Sequence, residues 1–142
     1  MNTTAHQTDK TDQIDKTTIL VAVNDIFFYT KVRDALLPDG YRLEKARAQQ
    51  DILEKTSSGN PALVVLDMND RSVDAFQALE TLKGDPRLSS IPVLAYANHE
   101  EVDTWNRARA LGVTKIVSRN EFSARTRDLV EELITLGVKG KA

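Results

Sequence analysis

Two acidic residues stand where a parallel sheet would bring them together. The run Ala62-Leu63-Val64-Val65-Leu66-Asp67 is wholly apolar until its last residue, and Ile19-Leu20-Val21-Ala22-Val23 leads in the same way into Asn24-Asp25. An apolar run without polar alternation suits a strand covered on both faces. Open α/β sheets place their chemistry outside the carboxyl ends of such strands. Asp25 and Asp67 are therefore expected at one sheet edge, where a pair of carboxylates can hold a hard cation. Quieter roles stay open for both: Asp25 suits the N-cap of a following helix, and Asp67 a turn after its strand.

The elements that must position these acids follow from periodicity. After the first strand, Phe28, Tyr29, Val32, Ala35 and Leu36 fall at helical spacing over 26–37, and Pro38-Asp39-Gly40 ends the helix. Residues 41–46 alternate like a half-buried edge strand, and 49–57 reads as a second helix before Gly59-Asn60-Pro61. The strand that ends in Asp67 comes third. Val73, Phe76, Leu79 and Leu82 trace a third helix that breaks at Gly84-Asp85-Pro86, and 91–96 makes a fourth strand. A fourth helix over 100–111 stops at Gly112, a fifth strand covers 113–118, and a last helix over 122–136 ends at Gly137. Strands alternating with helices argue for βαβ units with right-handed crossovers, hence a three-layer α/β sandwich around a parallel sheet.

Composition narrows the function. The 142 residues are 41% hydrophobic, enough for one core that buries roughly two thirds of the unfolded surface. Lys and Arg number 19 against 21 Asp and Glu, so no positive excess invites a phosphate backbone, and nucleic acid is not an expected partner. The absence of cysteine removes disulfides, thiolate metal sites and cysteine nucleophiles, and fits a cytoplasmic setting. No apolar stretch approaches a membrane span, and the polar segment 1–17 lacks a secretory h-region and reads as a disordered tail. The turn after the first strand carries neither GxGxxG nor a phosphate loop, which disfavours nucleotide binding. His6 and His99 are too isolated to form a metal cluster, and no nucleophile or base arrangement suggests an enzyme.

Taken in order, several segments resemble the receiver domains of two-component response regulators. They are the strand ending in Asp67-Met68-Asn69, the stretch from Gly84 through Ile91-Pro92-Val93-Leu94, and Ala108-Arg109-Ala110-Leu111-Gly112-Val113. The resemblance runs from Thr18 to about Leu136. It implies a flavodoxin-like (βα)5 sandwich with strand order 2-1-3-4-5, a receiver-like domain over 18–137 and a short C-terminal tail over 138–142. It further implies that Asp67 is the phosphoacceptor, taking its phosphoryl group from a histidine kinase or phosphotransfer protein. The metal would meet Asp25, Asp67 and the carbonyl of Asn69.

Four positions depart from that pattern. Asn24 replaces the first of an acidic pair, so Mg²⁺ is expected to bind weakly. Ala97 stands where a Thr or Ser hydroxyl ends the fourth strand, Ile116 where an aromatic residue moves with that hydroxyl, and Arg119 where a lysine follows the fifth strand. Arginine stays charged and can grip a carboxylate through two parallel bonds, so Arg119 is expected to lock onto Asp67 and keep it ionised and paired near neutrality. The chain thus reads as a stand-alone pseudo-receiver serving as a protein-binding module, with weak or absent phosphorylation. The alternative is a working Mg²⁺-dependent response regulator that switches the face made by its fourth helix, fifth strand and last helix.

With no output segment after the last helix, any signal is expected to pass through another protein, and a homodimer is compatible with the sequence. Phe27 is expected to point outward beside the acidic site, as an anchor for the phosphodonor. Trp105 and Ile116 are assigned to the partner-binding face, although a partly buried core role for Trp105 fits equally. Asp70, Arg71 and Asp74 are expected to be solvated loop charges without chemistry.

Overall fold

The computed structural model describes residues 17–141, so the expected polar tail, apart from Thr17, and His6 lie outside the described residues. Five strands form one parallel sheet: β1 Thr18–Ala22, β2 Arg42–Lys45, β3 Leu63–Asp67, β4 Val93–Ala97 and β5 Lys115–Ser118, in the order β2-β1-β3-β4-β5. Between them run α1 Ile26–Leu36, α2 Gln49–Gly59, α3 Ala75–Gly84 and α4 Val102–Ala110, with α5 Arg119–Lys141 closing the chain. The expected order is the one observed. β1 and β3 lie side by side with Ala22 opposite Leu66, and β3 sets Asp67 opposite Tyr96 of β4.

All five residues of β3 and all five of β4 are buried, as fits strands covered on both faces. One core joins Leu20, Val64, Leu66 and Ile116 to Leu79 and Leu82 of α3. The other joins Val21, Val65, Leu94 and Tyr96 to Val32 and Leu36 of α1 and to Phe122, Leu129 and Leu133 of α5. Each fully buried Leu or Val contributes about 1.5–3 kcal/mol, so alternate residues of the central strands anchor opposite layers. Caps set the helix starts. Asp25 accepts the amides of Phe27 and Phe28, and Asp74 accepts that of Gln77.

Two boundaries differ from expectation. Val73, expected within the third helix, lies before α3, where its side chain is nevertheless buried. The last helix begins at Arg119 instead of Phe122, because the Ser118 hydroxyl accepts the Glu121 amide at 3.0 Å and starts the turn at once. It is interrupted at Arg125 (φ −129°, ψ 30°) and then continues past Gly137 to Lys141. Gly137 does not take the left-handed conformation that ends a helix, and it packs near Pro92.

Gly112 does take that conformation, with φ +95°, and lets the chain turn from α4 into β5. A Cβ there would stand 3.3 Å from Cγ of Lys83, whose ammonium donates to the carbonyls of Ser89 and Ile91 on the approach to β4. Gly112→Ala is therefore expected to cost roughly 1 kcal/mol or more, from the left-handed backbone and from displacing Lys83. A urea titration checks this; an unchanged midpoint would show that the turn relaxes freely.

Candidate functional site

At the carboxyl edge of the sheet, Asn24, Asp25, Asp67, Asn69, Asp70 and Arg119 line one open cavity of about 400 Å³. β1 delivers Asn24 and Asp25, β3 delivers Asp67, and α5 delivers Arg119 from its first turn. The sheet thus gathers the expected acids in one place. A larger opening of about 490 Å³ lies between α1 and α5, where Arg127 stands 3.8 Å from Asp39 and Arg125 pairs with Glu121.

Asp67 is only 4% exposed. Its Oδ1 accepts the Asn69 amide at 2.9 Å and lies 3.9 Å from Nη1 of Arg119, beyond hydrogen-bond length. The forked grip expected of Arg119 is not formed. The reason is aromatic: the guanidinium carbon sits 4.5 Å from the centre of the Phe28 ring and 5.6 Å from that of Tyr96, so the side chain is spread over rings beside the acid. Tyr96 itself is stacked between Phe28 at 5.1 Å and Phe122 at 4.4 Å.

Burial governs the ionisation of Asp67. It pushes the carboxyl above its ordinary value, against the opposing pull of the Asn69 amide and the Arg119 charge, while the negative charge of Asp70 pushes the same way as burial. The expectation that Arg119 would dominate is thereby corrected. The Tyr96 hydroxyl is buried beside Asp67 but has no hydrogen-bond partner among the described residues, and its proton weakly favours the carboxylate. Burial, with Asp67 next in importance, raises the Tyr96 phenol far above its ordinary value and keeps it protonated.

The loop acid set aside as solvated has a definite task. Asp70 accepts the backbone amide of Asn24 at 2.8 Å, its side-chain amide at 3.0 Å, and the amides of Ser72 and Val73 at 3.0 Å each. Asn24 also donates to the Ala46 carbonyl at 3.2 Å. Position alone hid this, since a polar loop carries no periodicity; the signal was an amide in the first turn facing an acid in the third. Asp70 and Asn24 together staple the β1–α1 and β3–α3 loops.

These engagements bear on the metal. Oδ1 of Asp25 is spent on helix capping, both oxygens of Asp70 accept amides, and a guanidinium shares the cavity. No three His, Cys, Asp or Glu side chains come together as a cation site among the described residues. Oδ2 of Asp25 and Oδ2 of Asp67 are the carboxylate oxygens of the cavity left for a hard cation, a set that fits a weakly held Mg²⁺.

Of the expected partner-binding residues, Phe27 is exposed, at 60%, with Lys31 Nζ 5.1 Å from its ring centre, and the neighbouring Ile26 is also exposed. Trp105 is half-buried against the core, and its indole N–H donates to the Asn98 carbonyl at 3.0 Å. Ile116 does not belong on that face. It is buried against the α3 side of the sheet, because alternate residues of β5 turn inward where an aromatic side chain would have to swing out. Ala97 is fully buried, a methyl group with no donor to offer.

Because folding raises the pKa of Asp67, the cost of its buried charge is borne in full above the folded-state pKa and is relieved as pH falls through it toward the unfolded value. Asp67→Asn is thus expected to stabilise the chain at pH 7, with the gain shrinking in acid. Denaturant midpoints at two pH values check this; a variant less stable at pH 7 would show that the charge is well compensated.

No protein-family model and no curated protein matches the chain. Solved structures do match. The signal receiver domain of a response regulator from Bermanella marisrubri has a TM-score of 0.73 at 18% identity, over 84% of this chain and 99% of that one. The receiver domain of a signal transduction histidine kinase from Syntrophus aciditrophicus has a TM-score of 0.74 at 20% identity, over 84% and 90%. The phosphorylated cyanobacterial phytochrome response regulator RcpA has a TM-score of 0.67 at 18% identity, over 86% and 89%. At such identities the likeness is one of backbone. The chain has the fold of response-regulator receiver domains.

Proposed function

We propose that this chain is an atypical receiver of the two-component or phosphorelay kind, working in the cytoplasm as a protein-binding module and not as an enzyme, with weak or absent phosphorylation at Asp67. The observation that carries this reading is the state of Asp67: 4% exposed, with one oxygen held by the Asn69 amide and a guanidinium parked 3.9 Å away. A phosphoacceptor must offer a carboxylate oxygen in line with the incoming phosphorus and have the developing charge neutralised. Arg119 supplies part of that neutralisation and stands in the approach.

The surroundings favour the same reading. Ala97 gives no hydroxyl to a phosphoryl oxygen, and one lost hydrogen bond to a charged group is worth about 1.5–3 kcal/mol. That is comparable with the few kcal/mol separating the two states of a typical switch. Ile116, packed in the core, leaves no aromatic rotor on β5. Mg²⁺ binding is weak, because the acids around Asp67 are committed to helix and loop amides.

The second reading, a Mg²⁺-dependent phosphoacceptor switching its α4, β5 and α5 face, keeps one observation in its favour: Arg119 stops short of a hydrogen bond to Asp67. Under either reading the partner is a protein. A histidine kinase or phosphotransfer protein is the candidate for the α1 surface where Phe27 and Ile26 are exposed.

Incubation with excess acetyl phosphate and Mg²⁺, read by intact mass, is expected to leave most of the chain unmodified. Rapid stoichiometric labelling that vanishes in Asp67→Asn would overturn the pseudo-receiver reading in favour of the second. Restoring the hydroxyl donor and the narrower cation through Ala97→Thr with Arg119→Lys is expected to raise the labelled fraction about tenfold or more, the equivalent of one charged hydrogen bond; no gain would place the obstruction elsewhere.

A further inference from the structure

The position of Arg119 needs an explanation that its acid does not supply. Asp67 offers a buried carboxylate, the usual magnet for a guanidinium, yet the two stop 3.9 Å apart. The shorter approach, judged against what each contact needs, is to the rings: 4.5 Å from Phe28 and 5.6 Å from Tyr96. Those rings cannot move aside. Tyr96 is fully buried and stacked on Phe122 at 4.4 Å and on Phe28 at 5.1 Å, with both ring pairs tilted by only 28°. The column ties α1 through β4 to α5 along the floor of the site.

We propose that Phe28 and Tyr96 are positioning residues of the Asp67 site: their ring faces, and not the carboxylate, fix Arg119 at a distance where it shields the acid without gripping it. A guanidinium is planar, polarisable and weakly hydrated, so it stacks on an aromatic face where an ammonium would seek water or an acid. Arginine at 119 and aromatic residues at 28 and 96 are thus one device. The ring column is built first, by core packing, and the guanidinium is laid against it. The Tyr96 hydroxyl has no hydrogen-bond partner among the described residues, so it makes no bond to Arg119.

This inference deepens the proposed shielding of Asp67, but its test reads the position of Arg119 directly and does not depend on whether Asp67 can be phosphorylated. The Nε–Hε resonance of Arg119, assigned by its loss in Arg119→Lys, is expected to be displaced upfield by ring currents in the full chain. Phe28→Leu should remove more than half of that displacement, Phe28→Tyr should retain it, and both Asp67→Asn and Tyr96→Phe should leave it largely in place. Unchanged amide resonances in α2 and α3 confirm that each variant is folded. Retention of the shift in folded Phe28→Leu would overturn the proposal. So would a loss in Asp67→Asn or in Tyr96→Phe as large as that in Phe28→Leu, by giving the role to the acid or to the hydroxyl. Labelling of Asp67 by acetyl phosphate alongside an intact Phe28 dependence would refute the functional reading while leaving the positioning role standing.

Discussion

A carboxylate held inside the edge of a parallel sheet sets the conditions for every group near it. β3 runs through the middle of the sheet with both faces covered, so its last residue, Asp67, is taken out of water along with the apolar residues before it. An ionised group so placed must find charge or hydrogen bonds, or give up its ionisation. Here it finds one backbone amide and one guanidinium that does not reach hydrogen-bond length, and burial prevails over both.

The residues around the acid form a consistent set. Asn24 removes one negative charge from the cavity, and its amide turns to Asp70, which spends its own charge on four donors. Asp25 is committed to the first turn of α1. Two loops that would otherwise be free to rearrange around a ligand are thereby joined to each other and to their helices. Ala97 of β4 and Ile116 of β5 are both buried in the core, and in the proposed reading neither carries a change at Asp67 toward α4. On that reading, the result is a scaffold that offers its surfaces, and not a change of state, for recognition.

The sheet was legible because its strands are apolar runs and its turns are marked by Gly, Pro and Asn. Asp25 and Asp67 could be placed together from strand ends alone, and strand order followed from the resemblance. Other features were hidden by their physics. The start of α5 at Arg119 depends on one hydroxyl, that of Ser118, accepting one amide, and nothing in periodicity marks it. Gly137 reads as a stop, yet only a left-handed glycine stops a helix, and its backbone does not take that conformation. Asp70 lay in a loop where charge is ordinarily solvated. The aromatic column escaped notice because Phe28, Tyr96 and Phe122 are distant in sequence and each is adequately explained as core. Arg119 stands beside Asp67, but its geometry follows rings carried on two other elements, α1 and β4, which no local pattern in the sequence links to it.

The account turns on Asp67 being shielded within a fixed site, and a titration with beryllofluoride and Mg²⁺, followed through the backbone amides, tests that most directly. A frozen site is expected to leave the resonances of α4, β5 and the first turn of α5 in place across the titration. Saturable movement of those resonances, absent in Asp67→Asn, would contradict it.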